Sequence, residues 1–366
     1  MTGAPAPLLL SVFATFAVGG PQVRFATLAN ALGPAFRHAI VAMDGDTACA
    51  ARLDPSLDVT FPAVPVRKGG LIANVRSFRR ALRTLRPALL LTHNWGSIEW
   101  AIANALPVVP QVHVEDGFGP EERVTQIPRR VWLRRLFLRR CTVIVPSQTL
   151  LRLAREVWRL PEARLHYVPN GIDLARIAAA APLRPPGEGV VIGTVAALRA
   201  EKALGRLLHA VARLPAEPPV RLVIVGEGPE RPGLEALAAE LGLAGRTLFT
   251  GHVEDPAGWY RGFDLFALSS DTEQMPLSVL EAMAAGLPVA ATDVGDVRAM
   301  LAPANAPHVV AKDEAALAGA LAALLADPAA RAAIGAANRE KAARDYARET
   351  MIETWRRILT QAVGRG

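Results

Sequence analysis

Two series of short apolar runs, each broken by helix-like stretches, constrain the fold of this 366-residue chain more than any other feature. The first half carries LLLSVFA, HAIVAM, ALLLTH, VVPQVHV and CTVIVPS. The second carries VVIGTVAAL, RLVIVGEG, TLFTGHV, DLFALSS, PVAATDV and HVVA. Continuous apolar strands alternating with helices give parallel sheets covered on both faces. One such series builds one doubly wound domain, so two series predict an α/β chain of two. The length also suits two cores better than one. Between the series lies VPNGIDLARIAAAAPLRPPGEG, residues 168–189, rich in Pro, Gly and Ala and without strand pattern. The predicted organisation is a Rossmann-like domain over 1–169, a linker over 170–188, a second Rossmann-like domain over 189–345, and a C-terminal helix over 346–366 crossing back to the first domain. The stretch 327–363 reads as helical throughout.

Composition removes several function classes. Hydrophobic residues are 51% and charged residues 20%, a globular balance. The early apolar run from Leu8 to Val18 is too short to span a bilayer. No Lys or Arg precedes it and Gly19-Gly20-Pro21 follows, so it reads as a buried strand rather than a signal peptide. Cys49 and Cys141 stand far apart, in no metal or redox spacing. A disulfide framework is excluded, no metal site is expected, and a reducing cytoplasm fits.

The net charge of +7 is uneven. Residues 1–169 hold 21 Lys+Arg against 11 Asp+Glu, and the remainder 20 against 23. A basic N-terminal half suits phosphorylated ligands, an anionic membrane surface or nucleic acid. Aromatics are 5% and no nucleic-acid motif is present, so nucleic acid is not an expected partner. The segment RRVWLRRLFLRRC, residues 129–141, spreads six arginines nearly all round a helical wheel. It reads as a solvated or interdomain helix rather than a clean membrane-surface helix. Asp44-Gly45-Asp46 follows the second strand and reads as a turn, not a metal site.

The stretch SSDTEQMPLSVLEAMAAGLPVAATD, residues 269–293, carries the most chemistry. A strand ends before it, and Pro276 suits the first turn of a helix. Gly286 and Pro288 stop that helix before the next strand. In open α/β sheets ligands bind at strand C-termini, against helix N-termini. Free N–H groups near Leu277 and Ser278 therefore form an anion site suited to phosphate. Glu273 precedes the helix and Glu281 sits in its second turn. Two acids flanking a phosphate fit a hydroxyl–diphosphate–hydroxyl ligand, a nucleotide-sugar, with Glu281 on ribose and Glu273 on the sugar.

This stretch resembles the Glu-x7-Glu motif of retaining nucleotide-sugar glycosyltransferases of family 4, which have the GT-B fold of two Rossmann-like domains facing across a cleft. The resemblance extends over VGGPQVRFATLANAL, VPNGID, GTVAALRAEKALGRLL, VIVGEGPERPGLEALAAELGL and TGHVEDPAGWYRGFDLFALSS. It implies that Gly19 and Gly20 let backbone N–H groups approach a diphosphate. It implies that Lys202, opening a helix, binds phosphate, and that His113 stands near the reacting sugar. Gly226, Gly228, His252 and Val253 would wall the nucleotide base. Glu115 and Asp116 are acceptor candidates at the same strand end as His113. The implied activity is metal-independent transfer of a hexose, with retention, from a nucleotide-diphosphate donor, UDP-sugar favoured over GDP-mannose. The nucleotide-sugar is a substrate and no cofactor is expected. The implied acceptor is a hydroxyl of a glycan or lipid-linked molecule in bacterial cell-surface polysaccharide, lipopolysaccharide or glycolipid synthesis, with the enzyme cytoplasmic or peripheral on the inner membrane face.

The chain departs from the family pattern in three places. Ala197 stands where the family has arginine, and Arg199, two residues on, is the candidate to supply its charge. Gln274-Met275-Pro276 follow Glu273 where the family has Gly-Phe-Gly. Ala203 follows the lysine where Gly or Asn is common. A nucleotide-sugar epimerase of the same fold and a non-catalytic nucleotide-sugar-binding protein are the alternatives.

Overall fold

The computed structural model describes residues 5–122 and 125–364. The chain divides into two compact units, residues 1–169 with 349–366, and residues 170–348.

In the first unit the apolar runs become β1 (Leu8–Phe13), β2 (Arg37–Ala42), β4 (Leu89–His93), β5 (Gln111–Val114) and β6 (Thr142–Val145). Two short edge strands join them, β3 (Val59–Thr60) and β7 (Leu165–Tyr167). All pair in parallel, in the order β3-β2-β1-β4-β5-β6-β7. The order reverses beside β1, as in a doubly wound sheet. One face buries Leu9, Leu91, Val112 and Ile144 against Leu28 and Leu32 of the helix Gly20–Leu32. The final helix, Arg348–Val363, buries Met351, Trp355, Ile358 and Leu359 in that same core. The other face packs Leu10, Val12 and Leu90 against Phe78 and Leu82 of the helix Leu71–Leu85. Phe78 stacks on Trp100 at 4.4 Å between centroids.

The second unit turns its six runs into β8 (Val190–Val195), β9 (Val220–Val225), β10 (Thr247–Gly251), β11 (Leu265–Leu268), β12 (Val289–Thr292) and β13 (Val309–Val310). They form a parallel sheet in the order β10-β9-β8-β11-β12-β13. Residues 170–188, read as linker, pack as part of this unit. Asp173 caps a short helix, Leu174–Ala179, whose Ile177 is fully buried in a core with Tyr260, Leu280 and Met283. The stretch read as one helix over 327–363 is two, Pro328–Asp345 and Arg348–Val363. The break follows from backbone pairing: Ile172 N–H donates to Tyr346 O at 2.8 Å, and Arg348 N–H to Ile172 O at 3.1 Å. Among the described residues no single helix is long and apolar enough to cross a membrane. Asp44-Gly45-Asp46 forms a turn, with Gly45 at positive φ and Asp46 N–H donating to Asp44 Oδ1.

Candidate functional site

The candidate groups of the second unit collect at the C-terminal ends of β8 to β12, where a doubly wound sheet binds its ligands. Three turns build one wall. After β8, residues 196–199 lie against the glycine turn that follows β9. Leu198 N–H donates to Glu227 O, and Gly226 N–H to Gly251 O, both at 3.0 Å. This packing is backbone on backbone. A Cβ at Gly226 would lie 1.9 Å from Ala196 O, and one at Gly228 would lie 2.4 Å from Leu198 O. Gly226 also has φ of +142°. Gly226→Ala therefore combines backbone strain with overpacking and should destabilise the protein by roughly 2–6 kcal/mol. A shift of the urea midpoint tests this; an unchanged midpoint would mean that the turns are not held this tightly. His252 is exposed beside this wall, and Val253 is half-buried.

Lys202 does not open a helix as the sequence suggests. It ends a short 3-10 turn, Ala200–Lys202, and the helix begins two residues later at Leu204. Ala203 bridges the two with φ +44° and ψ +44°. That conformation suits the Gly or Asn common at this place, and an alanine there carries about 1–2 kcal/mol of strain next to Lys202. Ala197 and Arg199 are both exposed and flank the buried Leu198, so Arg199 leaves the turn on the same outward side as Ala197.

Lys202 Nζ lies 2.6 Å from Glu273 Oε1. Ser270 Oγ donates to the same oxygen at 2.8 Å. Among the described residues Oε2 has no hydrogen-bond partner. The loop carrying Glu273 is held from several sides. Arg206 donates to Ser269 O and to Asp271 Oδ1, at 2.6 and 2.7 Å. Asn170 donates to Met275 O at 3.0 Å. Asp296 N–H donates to Gln274 O at 2.9 Å. Gly295, at φ +53°, passes so close that its Cβ would meet Glu273 O at 2.3 Å. Met275 is buried in the core. Met275, standing where the family has Phe, is thus taken up by the core and leaves Glu273 in place. Arg206, Asn170 and Gly295 are the supports that sequence reasoning missed. Asn170 and Gly295 each stand in a turn pattern that marks a constrained backbone, but their partner loop is distant in sequence.

The helix Leu277–Ala284 starts directly after this loop, with Pro276 as its N-cap. Val279 and Leu280 N–H turn back to Pro276 O. Leu277 and Ser278 N–H have no acceptor among the described residues, so the positive end of the helix is open to an anion. Glu281 is mostly buried, and Arg176 NH2 lies 2.6 Å from its Oε1. Burial pushes the Glu281 carboxyl above its ordinary range, and the Arg176 charge opposes this without cancelling it. Arg176 and the buried Tyr260 beside Glu281 had no visible signal in the motif itself.

In the first unit, Gly19 caps the helix Gly20–Leu32 at the end of β1. Neither glycine has positive φ, and a Cβ at Gly20 would meet nothing within 4 Å. At Gly19 a Cβ would approach only the end of the flexible Gln22 side chain. No internal contact therefore demands glycine at either position.

The structure places His113, Glu115 and Asp116 in or near the interior of the first unit. Register pairs His113 with Thr92 across β4 and β5, and the ring is fully buried. Its Nδ1 lies 2.9 Å from Thr92 Oγ1, and its Nε2 3.5 Å from Glu115 Oε2. It has no surface to offer a sugar. Glu115 is likewise fully buried, 3.1 Å from Arg134 Nε. Asp116 is almost buried, with Oδ1 2.6 Å from an Arg24 guanidinium nitrogen. Both acids are held in ion pairs inside their unit.

The arrangement defines a class. Two parallel-sheet Rossmann-like units, one with a Glu-x7-Glu helix start at the C-terminal ends of its strands, are those of a GT-B glycosyltransferase. The family profile described as "Glycosyltransferase Family 4" matches residues 18–176, and that described as "Glycosyl transferases group 1" matches residues 176–341. The chain belongs to the family 4 glycosyltransferases. It is 35% identical over 214 residues to a D-inositol 3-phosphate glycosyltransferase of Xylanimonas cellulosilytica, covering 52% of this chain and 51% of that protein. It is 29% identical over 198 residues to the lipopolysaccharide core biosynthesis glycosyltransferase LpsE of Rhizobium meliloti, covering 53% and 57%. The matched stretch thus spans little more than half the length of these relatives. In fold it is similar to sucrose-phosphate synthase of Thermosynechococcus elongatus, with TM-score 0.80, 20% identity, and coverage of 98% of this chain and 100% of that one. It is equally similar to HepE of Anabaena in complex with UDP, with TM-score 0.80, 19% identity, and coverage of 97% and 100%.

Proposed function

We propose that the chain transfers a hexose, with retention, from a nucleotide-diphosphate sugar to a hydroxyl of a glycan or lipid-linked acceptor. The observation that carries this reading is the Lys202–Glu273 pair set directly before the open helix start at Leu277. A diphosphate on the Leu277 and Ser278 N–H groups would have Lys202 beside it. Glu273 Oε2 would be free to accept from sugar hydroxyls while Oε1 stays on Lys202. Glu281 would accept from ribose hydroxyls, and Arg199 would supply the charge that Ala197 lacks. The Gly19-Gly20 turn offers a second helix start that a diphosphate could approach closely. HepE has been crystallised with UDP and with UDP-glucose, which supports UDP as the first nucleotide to test. The name of LpsE supports a lipopolysaccharide-type acceptor.

In the proposed reaction the acceptor oxygen bonds to the anomeric carbon on the face the phosphate leaves. The bond from that carbon to the phosphate oxygen breaks, and the acceptor proton passes to the departing diphosphate. The protein stabilises the charge that develops on the leaving group.

A thermal-denaturation panel with UDP, GDP and ADP, and their sugars, tests the site. A true donor at a hundredfold excess over its Kd should add about 2.7 kcal/mol of stability. No stabilisation by any nucleotide would remove the donor-site reading. Stabilisation without hydrolysis or transfer on any acceptor would favour a non-catalytic binding protein.

A further inference from the structure

We propose that Arg176 is the positioning residue for the nucleotide end of the site. One terminal nitrogen holds Glu281 so that its second carboxyl oxygen stays open to ribose hydroxyls. The other ties that hold to Asp255, on the turn after β10. The inference deepens the donor reading and rests on it.

Arg176 comes from the stretch that the sequence suggests is a linker. Its helix, Leu174–Ala179, starts at Asp173, whose side chain accepts from the Arg176 N–H at 2.9 Å. Ile177, the next residue, is fully buried. The cap and this anchor fix the direction in which Arg176 leaves its helix. Its Nη2 lies 2.6 Å from Glu281 Oε1. Its Nη1 donates to Asp255 Oδ1. Asp255 is itself held, since the Ala257 N–H donates to the same oxygen at 3.1 Å. The chain of charges joins three elements, and the arginine is its middle member.

The way the guanidinium is used argues for a site rather than for cohesion alone. An arginine that only locks a helix does best with two nitrogens on one carboxylate. Arg176 gives one nitrogen to each of two carboxylates. Among the described residues Glu281 Oε2 accepts no hydrogen bond, and the side chain keeps 17% exposure, so it is not sealed from a ligand. Beside it the Tyr260 hydroxyl is buried and makes no hydrogen bond. Burial first, and then the nearby Glu281, push that hydroxyl well above its ordinary range, so it stays a neutral donor. Polar groups left unpartnered in so covered a place mark a missing ligand. Glu281 stands one turn, roughly 6 Å, along its helix from Leu277, whose N–H is open to an anion. A diphosphate at Leu277 brings its own ribose to Glu281.

The hold also protects the charge of Glu281. Three titratable groups face the carboxyl: Arg176, Tyr260 and Asp255. The other neighbours of its helix are β11, β12 and the helix Pro328–Asp345, and among the described residues they bring no charged group to it. Burial drives the carboxyl upward and Asp255 adds to this, while Arg176 and Tyr260 oppose. Without Arg176 only Tyr260 opposes, and Glu281 takes up a proton at higher pH. A protonated carboxyl is a weaker acceptor and is free to turn.

The test is calorimetric binding of UDP, GDP and ADP, each against its 2′,3′-dideoxy form, to the full chain. The ratio of the two affinities reads the ribose contact alone, because the titration of the diphosphate cancels. The parent should prefer the ribose form of its nucleotide by about tenfold or more. In Arg176→Met the preference should fall below about threefold near pH 6 and recover in part near pH 8.5, with affinity for the dideoxy form unchanged. Arg176→Lys keeps the charge without the two-way hold and should restore part of the preference. A merely structural loss would lower the urea midpoint and weaken both forms alike, with no change in the ratio, and would overturn the proposal. So would a parent that binds nucleotide without any preference for ribose, which leaves the diphosphate part of the donor reading standing. A parent that binds no nucleotide removes the donor reading and this inference together.

Discussion

Replacing Lys202 with alanine should lower kcat about 10²–10³-fold while raising the donor KM much less. Removal of one preorganised group that faces developing charge typically costs ~2.7–4 kcal/mol in the transition state. In the proposed reaction the charge on the leaving diphosphate grows as the sugar departs, so Lys202 should act more on the transition state than on the bound donor. Its position is fixed before any donor arrives. Nζ sits 2.6 Å from Glu273 Oε1, and Ser269 Oγ donates to Lys202 O at 2.9 Å. Lys202→Ala also releases Glu273, whereas Glu273→Gln keeps a hydrogen-bonding group and removes only the charge partner. The second variant should therefore affect donor KM and sugar selectivity more than the first. Steady-state kinetics on both, with urea midpoints to confirm folding, decide the matter. A kcat for Lys202→Ala within threefold of the parent would sink the assigned role.

The uneven legibility of this site has a physical cause. The eleven apolar runs all became strands, because a strand buried on both faces writes its structure directly in composition. The two strands that were missed, Val59–Thr60 and Leu165–Tyr167, are edge strands of two and three residues, too short for a pattern. The helix start at Leu277 was legible for a local reason: Pro276, Gly286 and Pro288 bound the helix within about a dozen residues. What the sequence could not show is the direction of side chains whose partners come from another element. His113 and Glu115 lie on consecutive odd positions of one strand end, a pattern equally suited to a site or to an interior. Only the pairing with Thr92 and the approach of Arg134 reveal an interior. The arginines of residues 129–141 failed for the same reason. A helical wheel counts charges on each side but does not know which side meets Glu115 and Glu122.

That interior cluster carries the largest stability effect expected for a single polar side chain of this protein. Arg134 is fully buried, as are Glu115 and Glu122. Its Nε lies 3.1 Å from Glu115 Oε2, and its two terminal nitrogens lie 3.2 and 3.3 Å from the Glu122 oxygens. The guanidinium also lies 5.1 Å from the ring centroid of Trp95, 5.3 Å from that of Phe118 and 5.0 Å from that of Trp158. Arg134→Met keeps much of the volume but removes the charge partner of Glu115, and leaves Glu122 only Arg130 and the Ile127 N–H. Breaking a buried pair from one side costs ~3–5 kcal/mol, so the urea midpoint at pH 7 should fall accordingly.

The pH dependence gives the sign. Burial pushes the Glu122 carboxyl upward, but hydrogen bonds from Arg134 and Arg130 outweigh it and hold the group below its ordinary range. In the window between the folded and unfolded values, the unfolded chain binds the extra proton. The contribution of Glu122 is therefore complete above the unfolded value of about 4.3 and is lost as pH falls through the lower, folded value. Without Arg134 that depression shrinks, since the largest of the lowering contributions is gone. The gap in stability between parent and variant should thus be widest near neutral pH and narrow as the pH falls below 4. Replacing the cluster as a whole, Glu115→Gln and Glu122→Gln with Arg134→Met, should recover part of the loss, since no charge is then left buried without a partner. If Arg134→Met alone costs under about 1 kcal/mol at pH 7, or if the gap is the same in acid, the cluster is not held together by its charges and the aromatic cage carries the packing instead.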